Sequence, residues 1–223
     1  MSDQPGSIFS ALMRQIHGAN IYAGYMPTFP EDLQGWNSTH QAFDEIIRGA
    51  RPSVAIDVGV WKGASTIYLA DLMKRYGVDG AVIAVDTFLG SVEHWDRNSG
   101  FAGLIPHRFG MPLLYEQFLS NVARRGLQDR IVPLPQTTTT AATLLSRIGV
   151  RAGLIHIDAS HEFEDVLRDA RLYWDILLPG GFLVGDDYAP DWPGVVQAAD
   201  MFAAEKGVPL MKSMPKWIVH KPA

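Results

Sequence analysis

Two short segments in the second half of the chain carry the residue types best suited to chemistry. Residues 155–161 begin as an apolar run that ends in Asp158 and is followed, one short step later, by His161. A second apolar run ends in Asp186 and Asp187. If the two runs are neighbouring strands of a parallel sheet, their three carboxylates meet at its carboxyl edge, because parallel strands end on the same side.

Such a cluster suggests both a cation site and an acid–base residue. Carboxylate oxygens are the ligands that hard cations such as Mg²⁺ prefer, and a histidine can take a proton from a substrate hydroxyl near neutral pH. Acids at strand ends also occur as plain helix caps. Two adjacent aspartates opposite a third are more than capping requires, which favours the chemical interpretation.

The composition is that of a single globular domain of enzyme size, spanning residues 1–223. Of these residues 47% are hydrophobic and 19% charged, enough to bury a sizeable core. A net charge of −5 argues against nucleic acid as a partner, and no apolar run approaches the ~18 residues of a membrane span. Zero cysteines exclude disulfides, thiolate metal sites and cysteine nucleophiles. Residues 1–6 lack the pattern of a secretory signal, so we expect a cytoplasmic enzyme.

The positions of the acids depend on the elements that carry them. Short runs rich in Val, Ile and Leu, without polar alternation, predict strands buried on both faces at 54–58, 81–85, 130–134, 153–157 and 181–185. Amphipathic segments between and after them predict helices at 64–76, 113–125, 140–147, 163–177 and 193–206. This alternation predicts an α/β protein with a doubly wound, mostly parallel sheet, because parallel strands need crossover connections.

Three regions depart from that alternation. Residues 208–211 and 217–219 are joined by a short link around Pro215, which predicts a hairpin and an antiparallel strand. Residues 1–50 predict a helical extension on the substrate side, with one helix around residues 8–16 and another around 43–47, capped by Ser38. Residues 88–112 form a long, aromatic and glycine-containing connection that predicts a lid. Its His94 and His107 could contact substrate, although loop histidines are often merely solvated.

The first strand and helix are joined by a glycine-containing turn. Gly59 would let the backbone turn tightly and a ligand approach closely, and Gly63 would let the helix pack near the strand. Trp61 stands where a dinucleotide fingerprint needs glycine, and Gly63 is not followed by the Lys-Ser/Thr of a phosphate loop. The pattern therefore favours a ligand without phosphates. Asp57 could hold a cationic group of that ligand.

The second strand ends in Asp86, followed by Thr87. An acid at this position can bind both hydroxyls of a ribose. Gly59 and Gly63 could be ordinary turn glycines and Asp86 a helix cap. Together, at the ends of the first two strands, these residues indicate an adenosine-bearing cofactor.

The chain resembles class I S-adenosylmethionine-dependent methyltransferases. The resemblance spans about residues 50–220 and lies in Asp57-x-Gly59-x-x-x-Gly63, Asp86, Asp158 and Pro179-Gly180-Gly181. It implies a Rossmann-like, seven-stranded, mostly parallel sheet with an antiparallel C-terminal strand. It also implies S-adenosylmethionine as cofactor.

Within that class the second half is similar to metal-dependent O-methyltransferases. The pattern Asp158-x-x-His161 with Asp186-Asp187 is most similar to the macrocin/mycinamicin sugar O-methyltransferases and the related cephalosporin hydroxylase-like group. Catechol-type relatives typically have lysine where this chain has His161, and glutamate is common where it has Asp186. The resemblance implies that Asp158, Asp186 and Asp187 hold Mg²⁺ and that His161 is the general base.

The resemblance also implies a set of residues around S-adenosylmethionine. Asp57 and Gly59 would line its methionine end, Asp86 its ribose, and residues after the third strand its adenine. The residues in this set are Asp57, Gly59, Lys62, Gly63, Ser65, Asp86, Thr87, Gln136, Thr137 and Asp158. His156, in mid-strand, is predicted to pack rather than react.

These observations predict a Mg²⁺-dependent O-methyltransferase that acts on a small hydroxylated molecule, such as a sugar of a natural product or a vicinal diol. Self-association as a homo-oligomer is also expected from the resemblance. One alternative is a nicotinamide-dependent oxidoreductase, which Trp61 in place of the middle glycine disfavours. Another is a non-catalytic cofactor-binding module, which would predict damaged acids where Asp158, Asp186 and Asp187 are intact.

Overall fold

A computed structural model describes residues 6–223. The prediction about a secretory signal falls on residues 1–6 and so lies almost wholly outside the described residues. The helices are α1 Ile8–His17, α2 Gln41–Ala50, α3 Ala64–Arg75, α4 Val92–Trp95, α5 Leu114–Arg124, α6 Thr138–Arg147, α7 Phe163–Ile176 and α8 Pro193–Lys206. The strands are β1 Val54–Val58, β2 Ala81–Asp86, β3 His107–Arg108, β4 Met111–Pro112, β5 Ile131–Pro135, β6 Ala152–Ile157, β7 Leu177–Gly185, β8 Met211–Ser213 and β9 Lys216–His220.

Seven of the strands form one sheet in the order β5-β2-β1-β6-β7-β9-β8. The pairs from β5 to β7 are parallel, whereas β9 runs antiparallel to both of its neighbours. The predicted mostly parallel sheet with an antiparallel C-terminal strand is therefore confirmed. The central strands are buried on both faces, which explains their unbroken runs of Val, Ile, Leu and Ala.

The register of the central strands aligns the residues that follow them. Val58 pairs with Ile157, and Ile157 pairs with Gly185. The chain leaves all three strands at the same level, so Gly59, Asp158 and Asp186 become neighbours along the carboxyl edge. The side-by-side arrangement of the two acidic strand ends, assumed for the metal prediction, is thus present.

The C-terminal hairpin is confirmed, but its first strand begins later than residue 208. The Val208 N–H donates to the Ala203 carbonyl, which closes the end of α8. The backbone therefore joins the sheet only at Met211, and β9 then returns beside β7.

Residues 6–50 lie along the sheet and its helices. The predicted Ser38 cap of α2 is wrong: His40 is the cap, and its Nδ1 accepts from the Ala42 N–H at 3.2 Å. Ser38 donates instead to the Trp36 carbonyl, within the preceding turn. Phe43, on α2, is fully buried and packs edge-on against His156. The substrate-side role of this extension stays a prediction.

The connection 88–112 contains α4 and the two-stranded ribbon of β3 and β4. Its first residues are anchored, because Phe88 is buried between Tyr115 and Phe118. Beyond that anchor it exposes apolar side chains to solvent, among them Val92 and Phe109. A lid function stays a prediction. No helix within residues 6–223 is long and apolar enough to cross a membrane.

Candidate active site

Backbone hydrogen bonds hold the acidic strand ends together. The Asp158 N–H donates to the Val58 carbonyl, and the Asp186 N–H donates to the Ile157 carbonyl. A Cβ on Gly59 would lie 2.0 Å from the Asp158 carbonyl oxygen, and Gly59 also has a φ of +85°. Glycine is therefore required here because the chain after β6 approaches closely. The tight turn predicted at Gly59 is present, whereas the approach of a ligand to its backbone stays a prediction.

Two groups of side chains within residues 6–223 could hold a metal ion, and both include Asp158. One joins Asp158 to His161 and Asp187, and the other joins Asp158 to His156 and Asp186. In each group one ligand atom per residue lies within 4.8 Å of the others. The three predicted carboxylates thus share one edge of the sheet but fall into two groups. His156 was predicted only to pack.

His161 and Asp187 are half-buried, in contrast to the buried His156 and Asp186 of the other group. The Nε2 atom of His161 lies 2.8 Å from Oδ2 of Asp187, and the imidazole stacks on Trp192 with ring centroids 4.0 Å apart. The hydrogen bond and charge of Asp187 raise the pKa of His161, despite an opposing effect of burial. Asp187 has a φ of +59°, and its N–H donates to Asp186 Oδ1. This tight turn places the Asp187 carboxylate beside the His161 imidazole.

Asp158 is half-buried at the centre of the cluster. Burial and the nearby charges of Asp186 and Asp187 raise its pKa well above the usual value, although Lys216 opposes the shift. A carboxyl group crowded by like charges is stabilised by a cation. The donor set of aspartate oxygens and histidine nitrogen is one that divalent ions accept.

A buried chain of charged and polar groups lies behind these acids. Lys216 Nζ is 2.5 Å from Asp186 Oδ2 and 3.1 Å from His156 Nε2. His156 Nδ1 is in turn 2.7 Å from Asp57 Oδ1. Burial, followed by the Lys216 charge, lowers the pKa of His156. Sequence reasoning missed Lys216, although a lone lysine before the apolar run 217–219 was a possible signal.

Asp57 is an interior residue in this structure. It is fully buried, and its Oδ2 accepts hydrogen bonds from Ser65 at 2.8 Å and Thr66 at 2.5 Å. Burial raises its pKa, but hydrogen bonds from His156, Thr66 and Ser65 outweigh burial, so the net pKa is lowered. Both carboxylate oxygens are engaged within the protein. The prediction that Asp57 holds a cationic ligand group receives no support from these contacts, and neither does a ligand role for the Ser65 hydroxyl.

Lys62 and Gly63 also have structural partners. The Lys62 ammonium is buried and lies 2.6 Å from Asp32, in the N-terminal extension. A Cβ on Gly63 would lie 2.8 Å from the ring of Phe118. The absence of a side chain at Gly63 therefore lets Phe118 of α5 approach closely. The prediction was instead that Gly63 lets α3 pack near β1.

Asp86 and the residues after β5 lie together at the same edge. Asp86 pairs in register with Pro135, so Gln136 is next to it. The Asp86 carboxylate accepts from the Trp61 and Phe88 N–H groups at 2.9 and 2.7 Å, and burial raises its pKa. Thr87 and Gln136 are exposed. Thr137 is also exposed, and it caps α6 by accepting from the Thr140 N–H.

An aromatic contact connects this edge to the connection 88–112. Trp61 has a φ of +52°, and its indole stacks on His94 with centroids 4.3 Å apart. The His94 Nδ1 contacts Ser91, whereas its Nε2 is buried and has no hydrogen-bond partner within residues 6–223. A buried nitrogen without a partner is costly unless a ligand meets it.

The sheet order and the acidic carboxyl edge define an α/β protein with the methyltransferase fold. A family model described as a methyltransferase domain matches residues 56–188, and the chain belongs to this family.

Among relatives, the mycinamicin III 3''-O-methyltransferase of Micromonospora griseorubida is 27% identical over 161 residues. That alignment covers 68% of this chain and 61% of the relative, so the chain matches less than two thirds of its length.

Two solved structures share the fold over nearly the whole chain. The O-methyltransferase TomG from Streptomyces achromogenes, involved in tomaymycin synthesis and solved with S-adenosylmethionine, has a TM-score of 0.60 at 15% identity, covering 96% of this chain and 89% of its own. The apo structure of CalS11, a TDP-rhamnose 3'-O-methyltransferase of calicheamicin biosynthesis, has a TM-score of 0.58 at 17% identity, covering 95% and 92%.

Proposed function

We propose that this protein is an S-adenosylmethionine-dependent O-methyltransferase that acts on a hydroxyl of a small molecule with the help of a divalent cation such as Mg²⁺. The observation that carries the proposal is the cluster of Asp158, His161 and Asp187 at the ends of β6 and β7. This cluster lies on the same sheet edge as Gly59 and Asp86.

The cofactor half of the proposal is supported by the ends of β1, β2 and β5. Asp86 would accept from the ribose hydroxyls, and Gln136 and Thr137 are exposed next to it for the adenine. Thr87 and the backbone at Gly59 and Gly63 would also border the cofactor, since these residues follow β2 and β1 at the same edge of the sheet. The His94 Nε2, which has no hydrogen-bond partner among residues 6–223, is a further polar group that a ligand could satisfy. TomG was solved with S-adenosylmethionine on the same fold.

The cation half is supported by the donor set. Asp158, Asp186 and Asp187 would hold the ion, since each contributes to one of the two groups around Asp158. A bound divalent cation lowers the pKa of a coordinated hydroxyl and orients it. A vicinal diol, as on a sugar, suits such a site because both of its oxygens can coordinate. The names of the mycinamicin relative and CalS11 also favour a natural-product or sugar acceptor.

His161 would act as the general base. In the neutral imidazole one nitrogen donates and the other accepts, so with Nε2 donating to Asp187, Nδ1 is left to take the hydroxyl proton. The acceptor oxygen then bonds to the methyl carbon as the carbon–sulfur bond breaks. Asp187 stabilises the imidazolium that results, and Trp192 limits the rotation of the ring.

The first test is thermal unfolding with S-adenosylhomocysteine, with NAD⁺ as the control ligand. Ligand at ~100 times its dissociation constant adds about 2.7 kcal/mol, which raises the Tm by roughly 5–11 °C for a domain of this size. A shift with NAD⁺ alone would contradict the proposal.

The second test is methyl transfer to hydroxylated acceptors, with Mg²⁺ or with EDTA. Asp187→Asn should abolish the Mg²⁺-dependent turnover and leave the affinity for S-adenosylhomocysteine nearly intact. Turnover that persists in EDTA would overturn the metal dependence.

A further inference from the structure

We infer that Lys216 is a positioning residue that holds the Asp186 carboxylate in place for the divalent cation. The inference rests on the proposed function, because it concerns the same cation site. It adds a residue from β9, the antiparallel strand, to a site otherwise formed by the parallel strands.

The sheet register brings Lys216 to this position. Gly185 pairs with Trp217 in the antiparallel β7–β9 ladder. Asp186 follows Gly185 and Lys216 precedes Trp217, so the two side chains meet as the strands run past one another. The indole of Trp217 covers Gly185 so closely that a Cβ there would lie 2.0 Å from it. This packing fixes the distance between the strands.

Asp186 is held at both of its oxygens. Its Oδ2 is 2.5 Å from Lys216 Nζ, and its Oδ1 accepts from the Asp187 N–H at 2.8 Å. Two hydrogen bonds of this kind restrict the carboxylate to one orientation. Each oxygen still has a lone pair that can face a cation.

Lys216 is in turn held from behind. Its side chain is fully buried, and His156 Nε2 lies 3.1 Å from the ammonium. The ring of Phe43 lies 5.2 Å from the ammonium, close enough for a cation–π contact. His156 is fixed by Asp57. This chain of buried contacts explains why Asp57, at the end of β1, faces the interior.

The charges explain why a lysine is suited to this position. Asp158, Asp186 and Asp187 crowd one edge of the sheet, and burial together with this crowding raises the pKa of Asp158. A buried ammonium offsets one of the negative charges while the cation is absent. A neutral side chain at position 216 would leave the buried Asp186 carboxylate without a charged partner, with only the hydrogen bond from the Asp187 N–H. Partners behind metal ligands typically change metal affinity by about 10–100-fold when they are removed.

The experiment measures Mn²⁺ binding by electron paramagnetic resonance on the full chain, using wild type, Lys216→Met, Asp186→Asn and the double variant. Lys216→Met should weaken Mn²⁺ binding by about tenfold or more. The double variant should bind no more weakly than Asp186→Asn, because Lys216 acts through Asp186. The double variant also removes both buried charges, which preserves folding if Lys216→Met alone fails to fold.

Lys221→Met is the matched control, since the Lys221 ammonium donates to the backbone carbonyls of Trp174 and Leu177 and contacts none of the acids. It should lower the Tm and leave Mn²⁺ affinity unchanged. The inference would be overturned if Lys216→Met bound Mn²⁺ as tightly as wild type or more tightly. It would also be overturned if the double variant bound Mn²⁺ more weakly than Asp186→Asn. Either result would leave the proposed function intact. Absence of Mn²⁺ binding in the wild type would overturn the proposed metal dependence as well.

Discussion

The Nε2 atom of His161 lies 2.8 Å from Oδ2 of Asp187, although the two residues are 26 positions apart in the chain. The contact joins the segment after β6 to the turn after β7. The indole of Trp192 stacks on the imidazole of His161. The proposed base therefore touches a proposed cation ligand. Proton removal and cation binding would take place at one point of the sheet edge.

Replacing His161 with alanine should lower kcat by about 10²–10⁴-fold, the usual contribution of a positioned general base. Affinity for S-adenosylhomocysteine should change little, because the imidazole contacts Asp187 and Trp192 rather than the Asp86 edge. Steady-state kinetics and calorimetry measure the two quantities. His220→Ala, at the far end of β9, is the control. Unchanged kcat in His161→Ala would assign the base role elsewhere.

Asp86→Asn should weaken binding of S-adenosylhomocysteine by about 10–100-fold, since hydrogen bonds to a charged group contribute about 1.5–3 kcal/mol. Calorimetry measures this change. An analogue that lacks the ribose 2′-hydroxyl provides the control: it should bind wild type more weakly and lose less on substitution of Asp86. Equal losses for both ligands would mean that Asp86 acts only through the Trp61 and Phe88 N–H groups.

Gly59→Ala should lower the free energy of unfolding by about 3 kcal/mol or more, because the new Cβ would meet the Asp158 carbonyl in a strained backbone region. The Tm should fall by roughly 6–12 °C. Gly77→Ala is the matched control: its φ is also positive, at +59°, but no atom lies within 4 Å of the added Cβ. Similar Tm values for the two variants would contradict the close approach of the Asp158 backbone.

Asp169→Asn should stabilise the protein at pH 8 but not at pH 4. Burial raises the pKa of Asp169 to about 6, above the 3.8 of the free side chain, so the folded protein favours the neutral carboxyl group. The ionised form therefore costs stability, with the cost appearing as the pH rises from about 4 and complete above about 6. Its upper limit is about 3 kcal/mol.

Unfolding curves of wild type and Asp169→Asn at several pH values would measure the effect. Asp79→Asn, at an exposed position, is the control. The amide oxygen can still accept the hydrogen bond that the Thr138 hydroxyl donates to Asp169 at 2.8 Å. A stability difference that does not depend on pH would contradict the burial of an ionisable group.

Most of the fold could be predicted because its strands and helices are determined by patterns of neighbouring residues in the sequence. Buried parallel strands require unbroken apolar runs, and helices require apolar residues three or four positions apart. The main errors in the predicted fold concern where elements begin. The cap of α2 is His40 rather than Ser38, and β8 starts at Met211 rather than at residue 208. Both were decided by single hydrogen bonds, which no periodicity reveals.

The candidate site could be predicted only in part. The acids after β6 and β7 were predicted to meet, since parallel strands end on one side of a sheet. The neighbours that make glycine necessary at positions 59 and 63, Asp158 and Phe118, were not predicted, because they are far away in the sequence.

By itself the sequence determined the α/β class, the mostly parallel sheet, and the presence of Asp158, His161, Asp186 and Asp187 at strand ends. Only the tertiary structure decided which groups lie behind them. Lys216 and His156 are 60 positions apart, and His156 and Asp57 are 99 apart. Their contacts depend on the order β1-β6-β7-β9 and on the direction of β9. Strand order follows from how the whole core packs, so no local pattern could place a buried lysine beside an aspartate.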